Sequence, residues 1–295
     1  MNPLISIIIP LYNKQDSIKR TIDSVLKQNY TNFEVIVVDD GSTDNSLTVI
    51  EKYCDDRVHI FRKKNGGPAS ARNYGVKEAK GEWVIFLDAD DVLVEDSLQL
   101  VANNIRKHRF ADVFAYNQYI EYAGERILRN KSHSRGYVMN PFLSWYLDEI
   151  YPGPGRAVVK RNIMEKIPFR EDLRRNEDTE NTFRIMRKYR YYACPEPLFC
   201  YNQDTLAASN KRENYREDFV CMMEAEGKSF FEQMALYKLY VTESINLYPE
   251  ESEQIYGDTF KKMKYGRGDK YIKKWKHLKE ILRNLIKSNF YASNQ

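Results

Sequence analysis

Acidic and polar residues follow three short apolar runs in the first ninety residues of this chain, and together they could hold a metal ion. The runs end in Pro10-Leu11-Tyr12-Asn13, in Asp39-Asp40-Gly41-Ser42 and in Asp88-Ala89-Asp90-Asp91. Up to five carboxylates in one place repel one another unless a cation or hydrogen-bond donors offset their charge. Hard cations such as Mg²⁺ and Mn²⁺ take oxygen ligands. The pattern therefore favours a site for a phosphate compound and a divalent metal.

The same residue types also have a simpler structural explanation. Asp, Asn, Ser and Gly are common in turns and at the starts of helices. That explanation is as good as the functional one for four residues, namely Gly41, Ser42, Asp44 and Asp91. It accounts poorly for Asp39 and for the pair Asp88 and Asp90, because their charges would still repel one another.

Strands and helices must alternate if these residues are to meet. Continuous apolar runs are typical of strands buried on both faces of a parallel sheet, and they cover Leu4–Ile9, Val35–Val38 and Val84–Leu87. Between the runs, the spacing predicts a strand at Val58–Phe61 and three helices, at Ser17–Gln28, Asp44–Tyr53 and Ser70–Ala79. The alternation predicts an α/β fold with a doubly wound sheet. Ligands of such sheets bind outside the carboxyl ends of the strands, where the polar residues stand.

The composition excludes several other classes of protein. The chain has 295 residues, 42% of them hydrophobic, with 46 Lys and Arg against 42 Asp and Glu, a net charge of +4. This excludes a disordered chain, a collagen-like repeat and a polytopic membrane protein. Neither the net charge nor any motif points to nucleic acid. The four cysteines have no zinc-site spacing, and we expect free thiols in a cytoplasmic protein without a secretory signal.

Two segments resemble a known protein family. They read IIIPLYNKQDSIKRTIDSVLKQNYTNFEVIVVDDGSTDNS and NGGPASARNYGVKEAKGEWVIFLDADD, and they resemble the inverting glycosyltransferases of family 2. The resemblance is dense over residues 4–95, looser to about residue 205 and absent beyond. It implies the GT-A nucleotide-diphosphosugar transferase fold, with a mostly parallel sheet. We expect a GT-A domain over 1–210, divided into a nucleotide-binding half (1–110) and an acceptor half (111–210), and a helical region over 211–295.

The resemblance implies roles for residues of the nucleotide-binding half. Pro10 and Tyr12 would border the nucleobase, and Asp39 would accept a hydrogen bond from N3–H of uracil. Arg72 would lie near the base or the diphosphate as a fixed positive charge, or would pair with a carboxylate of the site; the two alternatives are compatible. Further candidate site residues in the same loops, without an assigned role, are Asn13, Asp40, Ser42 and Asp91.

The Asp-Ala-Asp segment is expected to hold the donor sugar and the metal. By resemblance, Asp88 would bind the ribose or the sugar, with Ala89 beside it. Asp90 would bind a divalent metal that bridges both phosphates. Mn²⁺ and Mg²⁺ both suit such oxygen ligands.

The acceptor half should supply the base that inverting transfer requires. The family places a carboxylate at the start of a helix, and the matching segment here is RNEDTENTF, residues 175–183. Asp178 is the candidate base, with Glu177 beside it and with Asp172 and Glu180 as fallback carboxylates. Alternatively, Glu177 and Asp178 merely complement the dipole of the helix.

Two further residues are weaker candidates for the acceptor cleft. Trp145 could stack on a sugar ring, or it could belong to the core, as most tryptophans do. His133 lies in a polar stretch, Asn130–Gly136, which we expect to form a loop by the cleft.

The C-terminal region carries a strongly basic segment. Between Lys261 and Lys287 there are eleven basic and two acidic residues, a net charge of +9, together with an apolar stripe at helical spacing. Such a basic amphipathic helix could lie on an anionic membrane surface. Alternatively, it could pack on two preceding predicted helices, at Phe219–Asn246 and Glu251–Met263. The sequence leaves both arrangements open.

The resemblance implies transfer of a hexose or N-acetylhexosamine from a UDP-sugar to a carbohydrate acceptor, free or lipid-linked, in capsule, O-antigen or exopolysaccharide biosynthesis. The expected location is the cytoplasm, with the inner face of the plasma membrane as an alternative. Two other functions stay open. A non-catalytic sugar-nucleotide-binding relative would lose the metal carboxylate or the base. A nucleotidyltransferase would need a glycine-rich phosphate loop after the first strand, where this chain has Pro10-Leu11-Tyr12-Asn13.

Overall fold

The computed structural model of the protein describes residues 2–122, 124–129, 135–202, 217–225, 227–244, 247–248, 251, 254–255 and 259. His133 and the basic segment at 261–287 lie outside the described residues, as do nine of the thirteen residues of the helix predicted at Glu251–Met263. Their predicted roles therefore stay predictions.

A single mixed sheet organises the described part of the chain. Its ten strands are β1 (Ile5–Leu11), β2 (Phe33–Asp39), β3 (Val58–Arg62), β4 (Trp83–Phe86), β5 (Val92–Leu93), β6 (Val113–Tyr122), β7 (Glu125–Leu128), β8 (Gly136–Tyr137), β9 (Ala157–Lys160) and β10 (Tyr191–Asn202). The order across the sheet is β3-β2-β1-β4-β9-β6-β10-β5, with β7 beside β6 and β8 beside β10. Strands β1 to β4, β6 and β10 run in one direction. The predicted α/β fold with a mostly parallel sheet is confirmed.

Helices cover both faces of this sheet. They are α1 (Ile18–Leu26), α2 (Ser46–Ile50), α3 (Gly67–Glu78), α4 (Ser97–Lys107), α5 (Pro141–Tyr146), α6 (Arg161–Lys166), α7 (Glu177–Met186) and α8 (Phe230–Leu239). Side chains from α1 and α4 form one core with Ile5, Ile7 and Ile9. Side chains from α3 and α5 to α8 form the other core with Ile8 on the opposite face of β1. Burial on both faces explains the continuous apolar runs.

The helix predicted over Phe219–Asn246 begins later than predicted. The chain forms a short 3₁₀ turn at Phe219–Cys221, α8 then covers Phe230–Leu239, and a π-helix continues it over Tyr240–Ser244. Gly227 between them has a positive φ of 73°, which interrupts a right-handed helix. The Ser229 side chain accepts a hydrogen bond from Glu232 N at 3.3 Å and caps α8. No helix in the described part of the chain is long and apolar enough to span a membrane.

Helix α3 packs closely on strand β1 at Gly75. A Cβ atom on Gly75 would lie 2.3 Å from Ile8 Cγ2, which is fully buried. We expect Gly75→Ala to lower the free energy of unfolding by about 1–3 kcal/mol, because the helix must move away from the strand. Urea denaturation measures the change, and exposed Lys77→Ala on the same helix should stay within about 0.5 kcal/mol of wild type. A Gly75→Ala variant as stable as wild type would contradict this packing.

Candidate active site

The three polar segments identified in the sequence meet at one edge of the sheet. Strand β1 pairs with β2 on one side and with β4 on the other, so the strand order reverses at β1. The loops after these three strands contain Tyr12 and Asn13, Asp39 to Ser42, and Asp88 to Asp91. A reversal of this kind opens a crevice at the carboxyl ends of the strands, where open α/β sheets bind ligands. The fold therefore brings the predicted donor-binding residues together.

Asp39 presents a buried acceptor atom at this crevice. It ends β2 with no exposed surface, and its Oδ1 accepts a hydrogen bond from Ser42 N at 2.9 Å. Its Oδ2 is buried and has no hydrogen-bond partner among the described residues; Arg62 Nε lies 3.3 Å away without hydrogen-bond alignment. A buried carboxylate oxygen without a donor is costly. A ligand with an N–H group would satisfy it.

Hydrogen bonds between the first two loops shape the crevice beside Asp39. Asn13 N donates to Ser42 Oγ at 3.1 Å, and Thr43 N donates to Asn13 Oδ1 at 2.8 Å. Asn13 has a φ of 50°, a left-handed conformation that Asn tolerates better than most residues. Tyr12, the residue before it, is 47% exposed. Pro10 lies within β1 opposite Val38 and is partly buried.

The carboxylate of Asp40 forms hydrogen bonds with the loop before α3. Its carboxylate accepts hydrogen bonds from Lys63 Nζ at 2.7 Å, from Gly66 N at 3.0 Å and from Gly67 N at 2.7 Å. These contacts fix the loop before α3 and place a negative charge at the start of that helix, which therefore begins at Gly67 rather than at Ser70 as predicted. These contacts support a role for Asp40 in positioning this loop, and its place among the candidate site residues stays a prediction.

Asp90 forms an ion pair that the sequence did not reveal. Lys14 Nζ, from the loop after β1, donates to Asp90 Oδ2 at 2.5 Å. Beside Asp90, the carbonyl of buried Ala89 accepts from Ser17 Oγ at 3.0 Å. Lys14 directly follows Asn13, but only the pairing of β1 with β4 brings it to Asp90. A cation already stands at the carboxylate that was predicted to bind metal.

Asp91 is buried behind the same loop. Its Oδ1 accepts a hydrogen bond from Asn202 N in β10 at 3.1 Å. Burial and the charges of Asp88 and Asp90 raise the pKa of Asp91 well above its ordinary value. Asp91 thus links the loop after β4 to β10, which supports the structural alternative for this residue.

Arg72 joins the two halves of the site. Its Nη2 donates to Asp88 Oδ1 at 3.0 Å and its Nη1 donates to Glu177 Oε1 at 2.9 Å. Burial lowers the pKa of the Arg72 guanidinium, but the carboxylates of Asp88, Glu177 and Asp178 outweigh that effect and raise it. Burial and the charge of Asp178 raise the pKa of Glu177, which Arg72 partly counteracts. Arg72 is thus a fixed cation that pairs with carboxylates of the site.

Removing Arg72 should destabilise the protein in a pH-dependent way. Arg72→Met leaves Glu177 buried without its cation, a change that costs about 3–5 kcal/mol near pH 8. The pKa of Glu177 would rise further above its unfolded value, so the folded state would bind a proton more readily. The loss of stability should therefore shrink as the pH falls towards 5.

Urea denaturation at pH 8 and pH 5 measures this effect. Arg170→Met is the control, because Arg170 pairs with Asp172 at an exposed position and such pairs contribute about 0–1 kcal/mol. A loss from Arg72→Met that is equal at both pH values would contradict the role assigned to Glu177.

Asp178 lies at the start of α7 beside a cavity. Asn176, with a φ of 55°, turns the chain into this helix, and Glu177 then points to Arg72 as described. Asp178 Oδ1 accepts from Thr179 N at 2.7 Å, whereas Oδ2 has no hydrogen-bond partner among the described residues. Asp178 lines a cavity of about 340 Å³. Its carboxylate can therefore accept a proton from a molecule bound there.

The other acceptor-side candidates have structural partners. Asp172 pairs with Arg170 and Glu180 pairs with Arg184 at 2.7 Å, and neither is among the described residues that line the cavity. Trp145 touches the cavity but is 7% exposed, with its ring 5.3 Å from that of Phe183. This burial favours the core alternative for Trp145.

Among the described residues, three cations line the cavity beside Asp178. Arg129, Arg156 and Lys238 lie in it with Asp178. Arg129 follows β7, Arg156 precedes β9, and Lys238 belongs to α8. No motif links these positions, which lie far apart in the sequence and meet at the cavity.

The chain is similar in sequence to several known proteins. The family model described as "Glycosyl transferase family 2" matches residues 6–168. An uncharacterized glycosyltransferase of Rickettsia typhi is 41% identical over 137 residues, 46% of this chain and 41% of that protein. Glycosyltransferase GlyG of Streptococcus pneumoniae is 38% identical over 122 residues, 40% of each chain. The chain thus matches about two fifths of the length of either relative.

Solved structures show the same fold. The crystal structure of S. aureus TarS 1-349 in complex with UDP-GlcNAc has a TM-score of 0.70 and 23% sequence identity, and the match covers 85% of this chain and 77% of that one. At this identity the likeness extends to the fold, which is of the nucleotide-sugar transferase type predicted.

Proposed function

The chain belongs to glycosyltransferase family 2, as its motifs predicted, and from this premise we propose that it transfers a sugar from a UDP-sugar to a carbohydrate acceptor with inversion. The main support is the buried Oδ2 of Asp39, which lacks a hydrogen-bond partner among the described residues at the crevice where the strand order reverses. Uracil carries an N3–H donor that this atom would accept. The TarS structure named above contains UDP-GlcNAc, which supports the same class of donor.

Asp90 suits a divalent metal ion that is bound partly by the protein and partly by the phosphates of the donor. Among the described residues no three His, Cys, Asp or Glu side chains are arranged to hold a metal. Mg²⁺, however, is commonly bound through one or two carboxylates together with substrate phosphates, and Asp90 is suited to that role. When bound, Mg²⁺ or Mn²⁺ would offset the charge that develops on the leaving diphosphate. Lys14 supplies a positive charge at Asp90.

The acceptor would react through a hydroxyl group next to Asp178. The hydroxyl oxygen forms a bond to the anomeric carbon on the face opposite the diphosphate, while the anomeric C–O bond breaks and its electron pair leaves with UDP. Asp178 takes the hydroxyl proton. Arg72 pairs with Asp88 on the donor side and with Glu177, the residue before Asp178, on the acceptor side. This one buried cation therefore fixes the position of the donor side relative to the acceptor side.

A panel of sugar nucleotides tests the donor class. With Mn²⁺ present, release of nucleoside diphosphate should occur from UDP-sugars, and chelation of the metal should suppress it. Release restricted to guanosine-diphosphate sugars would overturn the assignment of Asp39, because guanine presents a different edge to that carboxylate.

The proposed function includes an acceptor class and a place in the cell. The acceptor would be a growing capsule, O-antigen or exopolysaccharide chain or its lipid-linked precursor, handled at the cytoplasmic side of the plasma membrane. The basic segment at 261–287, with a net charge of +9, supports contact with an anionic surface. The full chain should sediment with anionic lipid vesicles at low salt, and failure to do so would remove the membrane from the proposal.

A further inference from the structure

Two arginines share one aromatic ring in the cavity beside Asp178. The guanidinium carbon of Arg129 lies 5.7 Å from the centre of the Tyr151 ring, and that of Arg156 lies 5.5 Å from it. The two positive charges repel one another, because the charge of Arg129 lowers the pKa of Arg156. An anion between or beside them would remove that repulsion.

Arg156 lacks the partners that a buried cation normally has. Its Nε is inaccessible to solvent, and its guanidinium makes neither a hydrogen bond nor an ion pair with any described residue. Burial and the charge of Arg129 lower the pKa of Arg156 to about 10, although the carboxylates of Asp178 and Asp91 counteract part of that effect, and the side chain is still charged at neutral pH. Buried charges in proteins are normally paired. Arg156 lines the cavity, so its guanidinium is placed to pair with an anion bound there.

The other charged groups of the cavity offset the two arginines only in part. Lys238 is bound to Asp148 and to the carbonyls of Trp145 and Tyr146, both at 3.1 Å. Asp178 and Glu243 are the acidic residues of the described cavity wall. The charge of Asp178 raises the pKa of Arg156, but burial and the charge of Arg129 outweigh it.

We propose that Arg129 and Arg156 form an anion subsite that binds a phosphate or carboxylate group of the acceptor, next to the hydroxyl that reacts. This inference rests on the proposed function. Guanidinium groups pair with phosphate and carboxylate oxygens through two parallel hydrogen bonds. The cavity has a volume of about 340 Å³, which is large enough for a small anionic alcohol. Its described walls include Asp178 but not Asp39, Asp88 or Asp90. The anion therefore belongs to the acceptor rather than to the donor diphosphate.

Binding of a minimal anionic alcohol tests the subsite. The probe is sn-glycerol 3-phosphate, titrated calorimetrically into the full chain saturated with UDP and Mn²⁺, with glycerol as the uncharged comparison. Arg129→Gln and Arg156→Gln each remove one guanidinium, and exposed Arg129 is the safer change for folding. Arg126→Gln is the matched control, because Arg126 lies in the same hairpin but pairs with Glu121 at 2.8 Å.

Wild type and Arg126→Gln should bind glycerol phosphate saturably and glycerol not at all. Arg129→Gln should weaken that binding about tenfold or more, with the UDP dissociation constant unchanged within about twofold. Absent binding to wild type, or equal binding to Arg129→Gln, would overturn the subsite. Weaker UDP binding by Arg129→Gln, with competition between UDP and glycerol phosphate, would also overturn it, by assigning the arginines to the donor. Failure of wild type to bind UDP would instead refute the proposed function.

Discussion

Asp178→Asn should lower the rate of sugar transfer by about 10²–10⁴-fold while leaving the affinity for UDP unchanged within about twofold. An amide cannot accept the hydroxyl proton, so the acceptor oxygen would have to attack while still protonated. The amide oxygen can still accept the hydrogen bond from Thr179 N, now 2.7 Å from Asp178 Oδ1, so the start of α7 should keep its structure. Transfer is measured with saturating donor and acceptor, and UDP binding is measured separately by calorimetry.

Asp172→Asn is the matched control for this experiment. It makes the same chemical change at an exposed carboxylate that pairs with Arg170 outside the described cavity wall. Its transfer rate should equal that of wild type. If Asp178→Asn retained more than about a tenth of the wild-type rate, the base would have to be a different group.

Asp39→Asn should weaken UDP binding by about 10- to 100-fold, the loss expected for a hydrogen bond to a buried charged group. Because Oδ1 is already held by Ser42 N at 2.9 Å, the substituted amide nitrogen would take the place of Oδ2. An N–H donor would then face the N3–H donor of uracil. Cytosine has an acceptor at N3, so the preference of the variant for UDP over CDP should also fall.

Calorimetric titration with UDP and with CDP measures both effects of Asp39→Asn. Exposed Asp16→Asn, in the loop before α1, is the control and should bind both nucleotides as wild type does. A variant that keeps the wild-type affinity and the wild-type preference for UDP would show that Asp39 does not contact the base.

The sequence predicted the sheet and the place of the site because both depend on local patterns. Apolar runs such as Leu4–Ile9 are buried on both faces of the sheet, and the polar residues after them stand at strand ends whatever the details of packing. The extent of α8 was harder to predict, because Gly227 and Ser229 interrupt an apolar pattern that is otherwise continuous.

Individual side chains of the site could not be assigned from sequence. Asp39 and Asp40 are chemically identical neighbours, yet Asp39 has an oxygen without a hydrogen-bond partner among the described residues, whereas Asp40 is held by Lys63 and the loop before α3. The difference depends on which side of β2 each residue faces. Likewise, Lys14 reaches Asp90 and Arg156 approaches Arg129 only across distant parts of the chain.

We propose that Asp39 selects a uridine nucleotide at the crevice beside β1. Titration of the full wild-type chain with UDP, CDP and GDP in the presence of Mn²⁺ tests it most directly. We expect the wild-type chain to bind UDP saturably, with an affinity at least about tenfold higher than that for CDP or GDP. Equal affinity for the three nucleotides, or tighter binding of CDP or GDP, would contradict it.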